Sequence, residues 1–198
     1  MKDTKDIILK TAYDMFLYSN YEAVTIRNII KATGLTKGAI YHYYESKEEL
    51  FKAVVDKYML ENLEDSDVTY DKLKDIIQHT IDTIKGKTNG MLIESGSSQI
   101  ILPINYISLM VSAYRYYPDY EKIGRTFFKR KMGKWEQTIK TAIEKGEIRQ
   151  DTDIRATVAT FMQVSTGIVA NMMMGGSITY ALNMLERQFW ELYKNIKK

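Results

Sequence analysis

Thr25-Ile26-Arg27-Asn28-Ile29-Ile30-Lys31-Ala32-Thr33-Gly34-Leu35-Thr36-Lys37-Gly38-Ala39-Ile40-Tyr41-His42-Tyr43-Tyr44 is the stretch that decides the fold. Thr25 is placed to cap a helix over Ile26 to Ala32, whose Ile26, Ile29 and Ile30 face one side. Gly34 supplies a turn residue, and Thr36 can cap a second short helix from Lys37 to Tyr44. A short helix, a Gly-containing turn and a second short helix is the spacing of a helix-turn-helix, whose second helix enters the DNA major groove. Charge agrees. Between residues 24 and 47, Arg27, Lys31, Lys37 and Lys47 stand against Glu45 alone, a local +3 in a chain whose whole net charge is +3. The second helix opens on small residues that permit close approach to base edges and closes on hydroxyls and an imidazole that can donate to phosphates. Within it, Ile40 and Tyr44 are the residues expected to point inward.

Working outward, Ile8, Ala12, Met15 and Phe16 form a helical stripe that ends at Ser19-Asn20-Tyr21, where Asn20 is expected to stop the helix in a left-handed conformation. Ser46-Lys47-Glu48-Glu49 reads as a capping box opening a helix with Leu50, Phe51, Val54 and Tyr58. Four helices therefore fall within residues 1–62, the expected DNA-binding domain. The acidic segment Glu61 to Asp71 separates it from a helical body, residues 63–198. That body begins with a helix near Tyr70 to Lys85, followed by a Gly- and Ser-rich break from Gly86 to Ser98. Ile100 to Tyr117 reads as a helix with Pro103 in its first turn. Tyr120 to Lys145 carries the stripe Phe128, Met132, Trp135, Ile139 and Ala142, closed by Gly146. Asp151 or Asp153 caps Ile154 to Met174, and after Gly175-Gly176 Ser177 opens a last helix striped by Ile178, Leu182, Leu185, Phe189, Leu192 and Ile196.

Composition fits an all-α class. The chain has 198 residues, 45% of them hydrophobic, with only two Pro and 11 Gly, which favours long helices and short connections around a sizeable core. The absence of Cys removes disulfides, thiolate metal sites and thiol nucleophiles. Met1-Lys2-Asp3-Thr4-Lys5-Asp6 does not lead into the apolar run of a secretory signal, so a cytoplasmic location is expected. The uncharged stretches Ser95 to Tyr114, with Pro103 and with Ser, Gln and Asn spread through it, and Ala156 to Leu185, with Gln163, Asn171 and a Gly175-Gly176 break, read as buried helices, not membrane spans. No Gly-rich phosphate loop, nucleophile elbow or paired-carboxylate motif can be quoted, so no enzyme activity, cofactor or metal is expected. His79 is solitary, and Lys122, Arg125, Lys129, Arg130, Lys131 and Lys134 are read as a solvated helix face.

From about Lys5 to Val54 the chain resembles the N-terminal domain of the TetR family of bacterial transcriptional regulators. The residues that carry the resemblance are Ala12, Phe16, Tyr21, Thr25-Ile26, Ile29, Ala32, Gly34, Gly38-Ala39-Ile40-Tyr41-His42-Tyr43-Tyr44 and Lys47 to Leu50. Asn20 and Ile30 depart from it, where the family usually has Gly and Ala. The resemblance implies a three-helix DNA reader, in which Thr36, Lys37 and Ala39 face base edges and Gly38 allows close approach. Thr25, Tyr41, His42, Tyr43 and Lys47 would hold phosphates. It further implies that Gly146-Glu147-Ile148-Arg149 leads into two final helices that form a homodimer as a four-helix bundle.

The expected function is thus a DNA-binding regulator, a repressor released from a palindromic operator by a small-molecule effector. The dimer interface is expected at Ile168, Met172, Leu182, Leu185, Phe189 and Leu192, because residues 156 to 185 carry no charge. The effector pocket is expected at Tyr106, Met110, Tyr114, Phe128, Trp135 and Phe161, on helices that hold polar groups in apolar surroundings. Glu94, the single acid between Thr88 and Tyr114, favours a neutral or weakly polar ligand. A helical small-molecule carrier without a DNA role is the rival reading, and residues 24 to 47 argue against it.

Overall fold

The computed structural model describes residues 3–61, 68–93, 103–174 and 176–198. Among them the chain is all-α: α1 (Thr4–Tyr18), α2 (Ile26–Thr33), α3 (Lys37–Tyr43), α4 (Lys47–Val55) running into a π-helical turn (Asp56–Leu60), α5 (Leu73–Ile93), α6 (Pro103–Tyr116), α7 (Tyr120–Glu144), α8 (Ile154–Met173) and α9 (Ile178–Ile196). They divide into two compact units. One comprises Met1–Ser66 with Ile104–Arg125, and the other Asp67–Pro103 with Thr126–Lys198.

In the N-terminal unit, α1 lies against α4 and α2. The buried face of α1, Ile8, Leu9, Ala12, Phe16 and Leu17, follows the three-four spacing that brings side chains onto one side of a helix. Phe16 meets Phe51 of α4 edge to face at 4.9 Å, and Tyr21 meets the same ring at 4.8 Å. Leu109, Ser112 and Ala113 of α6 are buried as well. Asn20 differs from expectation. Among the described residues Asp119 is the one non-glycine with positive φ, so Asn20 is not left-handed. Its side chain instead accepts the Ala23 amide at 2.8 Å, a local bond that closes the turn without the strained backbone.

The second unit is built on α5, α7, α8 and α9, with α8 packed along α9 and α5 against α9. Trp135 and Phe161 stack at 4.7 Å, and Phe189 meets them edge on at 6.0 and 5.1 Å. Gly146, at φ 71°, ends α7, and the Glu147 amide reaches back to the Ala142 carbonyl at 2.9 Å. Two expectations fail here. The break at Gly86 does not occur, because α5 continues to Ile93: a glycine weakens a helix interior by only about 1 kcal/mol and keeps its N–H, while Ile77 and Ile81 anchor the same helix in the core. Phe128, at the start of the α7 stripe, is 49% exposed, so the buried part of that stripe is Trp135, Ile139 and Ala142. Residues 62–67, much of the acidic segment, and Glu94 to Ser98 lie outside the described residues.

Candidate nucleic-acid interface

Three caps shape the interface. At α2, Thr25 and Asn28 form a reciprocal box: the Asn28 amide donates to Thr25 Oγ1 and the Thr25 amide to Asn28 Oδ1, both at 3.2 Å. At α3, Thr36 Oγ1 accepts the Ala39 amide at 3.2 Å. At α4, Ser46 Oγ accepts the Glu49 amide at 3.1 Å, but the Glu49 carboxylate reaches one residue past the expected partner and takes the Glu45 amide at 2.6 Å. Between the first two caps Gly34, at φ 70°, donates to the Ile30 carbonyl and turns the chain. A side chain at that φ would be strained, so the glycine is needed for the angle between the helices.

Ile40 and Tyr44 are buried at 0% and 3% exposure and fix which face of α3 looks outward. Thr36, Lys37, Gly38, Tyr41 and His42 are exposed, while Ala39 and Tyr43 are half-buried. Lys37 Nζ sits 5.5 Å from the Tyr41 ring centre, one helical turn on, and the His42 and Tyr43 rings meet edge on at 5.0 Å. Gly38 has open space where a side chain would stand, so nothing in the protein requires a glycine there. Exposed Arg27 and Lys31 on α2 add positive charge to the same helix-turn-helix. Thr25 is exposed, with its hydroxyl already bonded to Asn28.

Lys47 is partly buried, and its Nζ donates to the Tyr21 carbonyl at 3.0 Å from a position 4.0 Å from the Tyr21 ring centre. Tyr21 in turn donates its hydroxyl to Glu48 at 3.0 Å. Burial, and secondarily that carboxylate, push the Tyr21 phenol up. The Thr25 to Asn28 box was legible in the spacing of Thr and Asn; the Tyr21 and Lys47 pairing joins residues 26 apart and has no sequence signal.

The helix-turn-helix is now complete in its caps, its turn and its exposed basic face. Residues 8–54 match the family model described as bacterial regulatory proteins, tetR family. Over these residues the chain carries a TetR-type DNA-binding domain. Across 74% of this chain and 70% of the relative it is 25% identical to the HTH-type transcriptional repressor KstR2 of Mycobacterium tuberculosis. It is 38% identical, over 26% of this chain and 28% of the relative, to the HTH-type transcriptional repressor AcnR of Corynebacterium efficiens. The fold is similar to that of a TetR transcription regulator from Haloarcula marismortui, with a TM-score of 0.68, 19% identity and complete coverage of both chains. This chain is a DNA-binding transcriptional regulator.

The other residues singled out from sequence fall differently. Tyr106, Met110 and Tyr114 belong to the N-terminal unit, and Phe128, Trp135 and Phe161 to the second. Met110 and Tyr114 are exposed, whereas Trp135 and Phe161 are each 1% exposed and fill the core by stacking on one another. Burial pushes the Tyr106 phenol up to about 12. Of the residues expected at the dimer interface, Ile168, Leu182, Leu185 and Phe189 are buried within their own chain and Leu192 packs against the same core. The Met172 side chain lies outside the described residues. His79 is exposed, hydrogen-bonded to Thr83 at 3.3 Å. Among the described residues no group of three or more His, Asp and Glu could hold a metal ion, and no helix is long and apolar enough to cross a membrane.

Proposed function

We propose that this regulator is a cytoplasmic, non-catalytic repressor that holds a palindromic operator as a homodimer through residues 1–62 and releases it when a small molecule binds within residues 63–198. The observation that carries the DNA reading is the outward row of α3, where Thr36, Lys37, Gly38, Tyr41 and His42 are exposed with no acid among them. Thr36, Lys37 and Ala39 read base edges, Gly38 admits close approach, and Thr25, Tyr41, His42, Tyr43 and Lys47 hold phosphates. The names of the KstR2 and AcnR relatives support repression.

Dimerisation is supported by α8. Gln163, Thr166, Gly167 and Ala170, with Met174 just past the helix end, are exposed, uncharged and spaced three or four apart, with small residues at the centre that let a second helix come close. We therefore place the self-complementary surface on this row, with the expected Ile168, Leu182, Leu185 and Phe189 as the core beneath it. The effector is neutral or weakly polar, and of the six expected lining residues Tyr106 is best supported, since a half-buried phenol favours a hydrogen-bonding partner.

Selection from a random duplex pool, followed by binding to the selected site at two salt concentrations, tests the reading. A palindromic consensus bound less tightly as salt rises is expected. Failure to enrich any duplex, together with salt-independent binding, would overturn it.

A further inference from the structure

Groups from three parts of the N-terminal unit meet at the first turn of α4. Tyr21, between α1 and α2, stacks on Tyr116 in the last turn of α6, with ring centres 4.1 Å apart and planes 19° from parallel. The Tyr116 hydroxyl donates to the carboxylate of Glu22, the residue next to Tyr21. Lys47, as described above, rests on the Tyr21 ring and carbonyl. The neighbouring Tyr117 donates its hydroxyl to Asp56 at 2.5 Å, so the end of α6 is held at two points.

These contacts bear on how Lys47 meets DNA. An ammonium has three donors, and the Tyr21 carbonyl uses one, leaving two for a phosphate. A lysine stem loses rotamer freedom when it binds, and a stem already laid on an aromatic face loses less. The Tyr116 hydrogen bond is the main cause that holds the Glu22 carboxyl below the usual range, and the charges of Arg115 and then Lys47 add to it. An acid so placed competes with phosphate for the lysine unless another group engages it.

We propose that Tyr116 is a positioning residue for DNA binding: its ring fixes Tyr21, its hydroxyl occupies Glu22, and together they present the Lys47 ammonium to a backbone phosphate. The inference rests on the phosphate role given to Lys47 above.

Phosphate contacts are independent of sequence, so the probe is a fluorescein-labelled duplex of arbitrary sequence, titrated with the full-length protein between about 50 and 200 mM KCl. Lys47→Ala should lower the salt slope by about one and weaken binding roughly three- to tenfold. Tyr116→Ala should do nearly the same, and the double variant should lose no more than Lys47→Ala alone. Tyr116→Phe, which keeps the ring and frees Glu22, should lose part of the effect. It also carries the test if circular dichroism shows Tyr116→Ala to be misfolded. Wild-type binding by both Tyr116 variants while Lys47→Ala is weakened overturns the inference, as do losses that multiply in the double variant. An unaltered slope in Lys47→Ala instead overturns the phosphate role of Lys47, and the inference with it.

Discussion

The Glu147 carboxylate accepts the Tyr193 hydroxyl at 3.0 Å, and the same carboxylate accepts the Leu73 and Lys74 amides at 2.8 and 3.2 Å. It thus ties the turn after α7 to the start of α5 and the last turns of α9. The Lys198 amide donates to the Glu147 carbonyl at 3.2 Å, and the Arg149 amide donates to the Ile196 carbonyl at 2.9 Å. A carboxylate suits the place because the first amides of a helix lack partners within the helix and carry partial positive charge. Glu147→Ala should lower unfolding stability by about 2 kcal/mol in a urea titration, the sum expected for a lost cap and a lost charged hydrogen bond. A variant as stable as the parent would show that water replaces these bonds at no cost.

Tyr193 also gives a pH dependence. Burial, followed by its hydrogen bond to Glu147, pushes its phenol up to about 12 from the ordinary 10.0. The unfolded phenol therefore ionises first as pH rises. The contribution is fully present below pH 10.0 and is lost as pH rises through about 12, since unfolding releases a proton across that window. Thermal melting should fall more steeply between these values in the parent than in Tyr193→Phe. Parallel curves would remove the coupling.

Phe189 and Ala170 separate core from interface. Phe189 is fully buried against Trp135 and Phe161, so Phe189→Ala should cost about 3 to 5 kcal/mol whatever the oligomeric state. Ala170 is exposed on α8, and Ala170→Arg should yield folded monomers in light scattering with helix content retained. A dimeric Ala170→Arg would move the interface off this row.

Lys37, exposed at the start of α3, should affect sequence preference more than salt dependence. Lys37→Ala is expected to relax discrimination at one base step by about 1 to 3 kcal/mol in competition between single-base variants of the selected site. Uniform weakening across all of them would assign Lys37 to a phosphate instead.

What the sequence by itself determined is local. Thr25, Thr36, Ser46 and Ser177 each accept an amide three residues ahead, a bond that depends on residue type and spacing alone. The all-α class and the helix-turn-helix follow from the same short-range rules, as does the inward pointing of Ile40 and Tyr44, because 3.6-residue periodicity places side chains without reference to distant chain. Tertiary structure decided the rest. A stripe such as Leu182, Leu185 and Phe189 says that one face is apolar but not whether its own chain or a second copy covers it; packing against Trp135 and Phe161 settles that it is its own. Tyr116 and Glu22 are 94 residues apart, and Glu147 and Leu73 are 74 apart. Bonds across such separations exist only once the helices between them have packed, so no pattern of neighbouring residues records them.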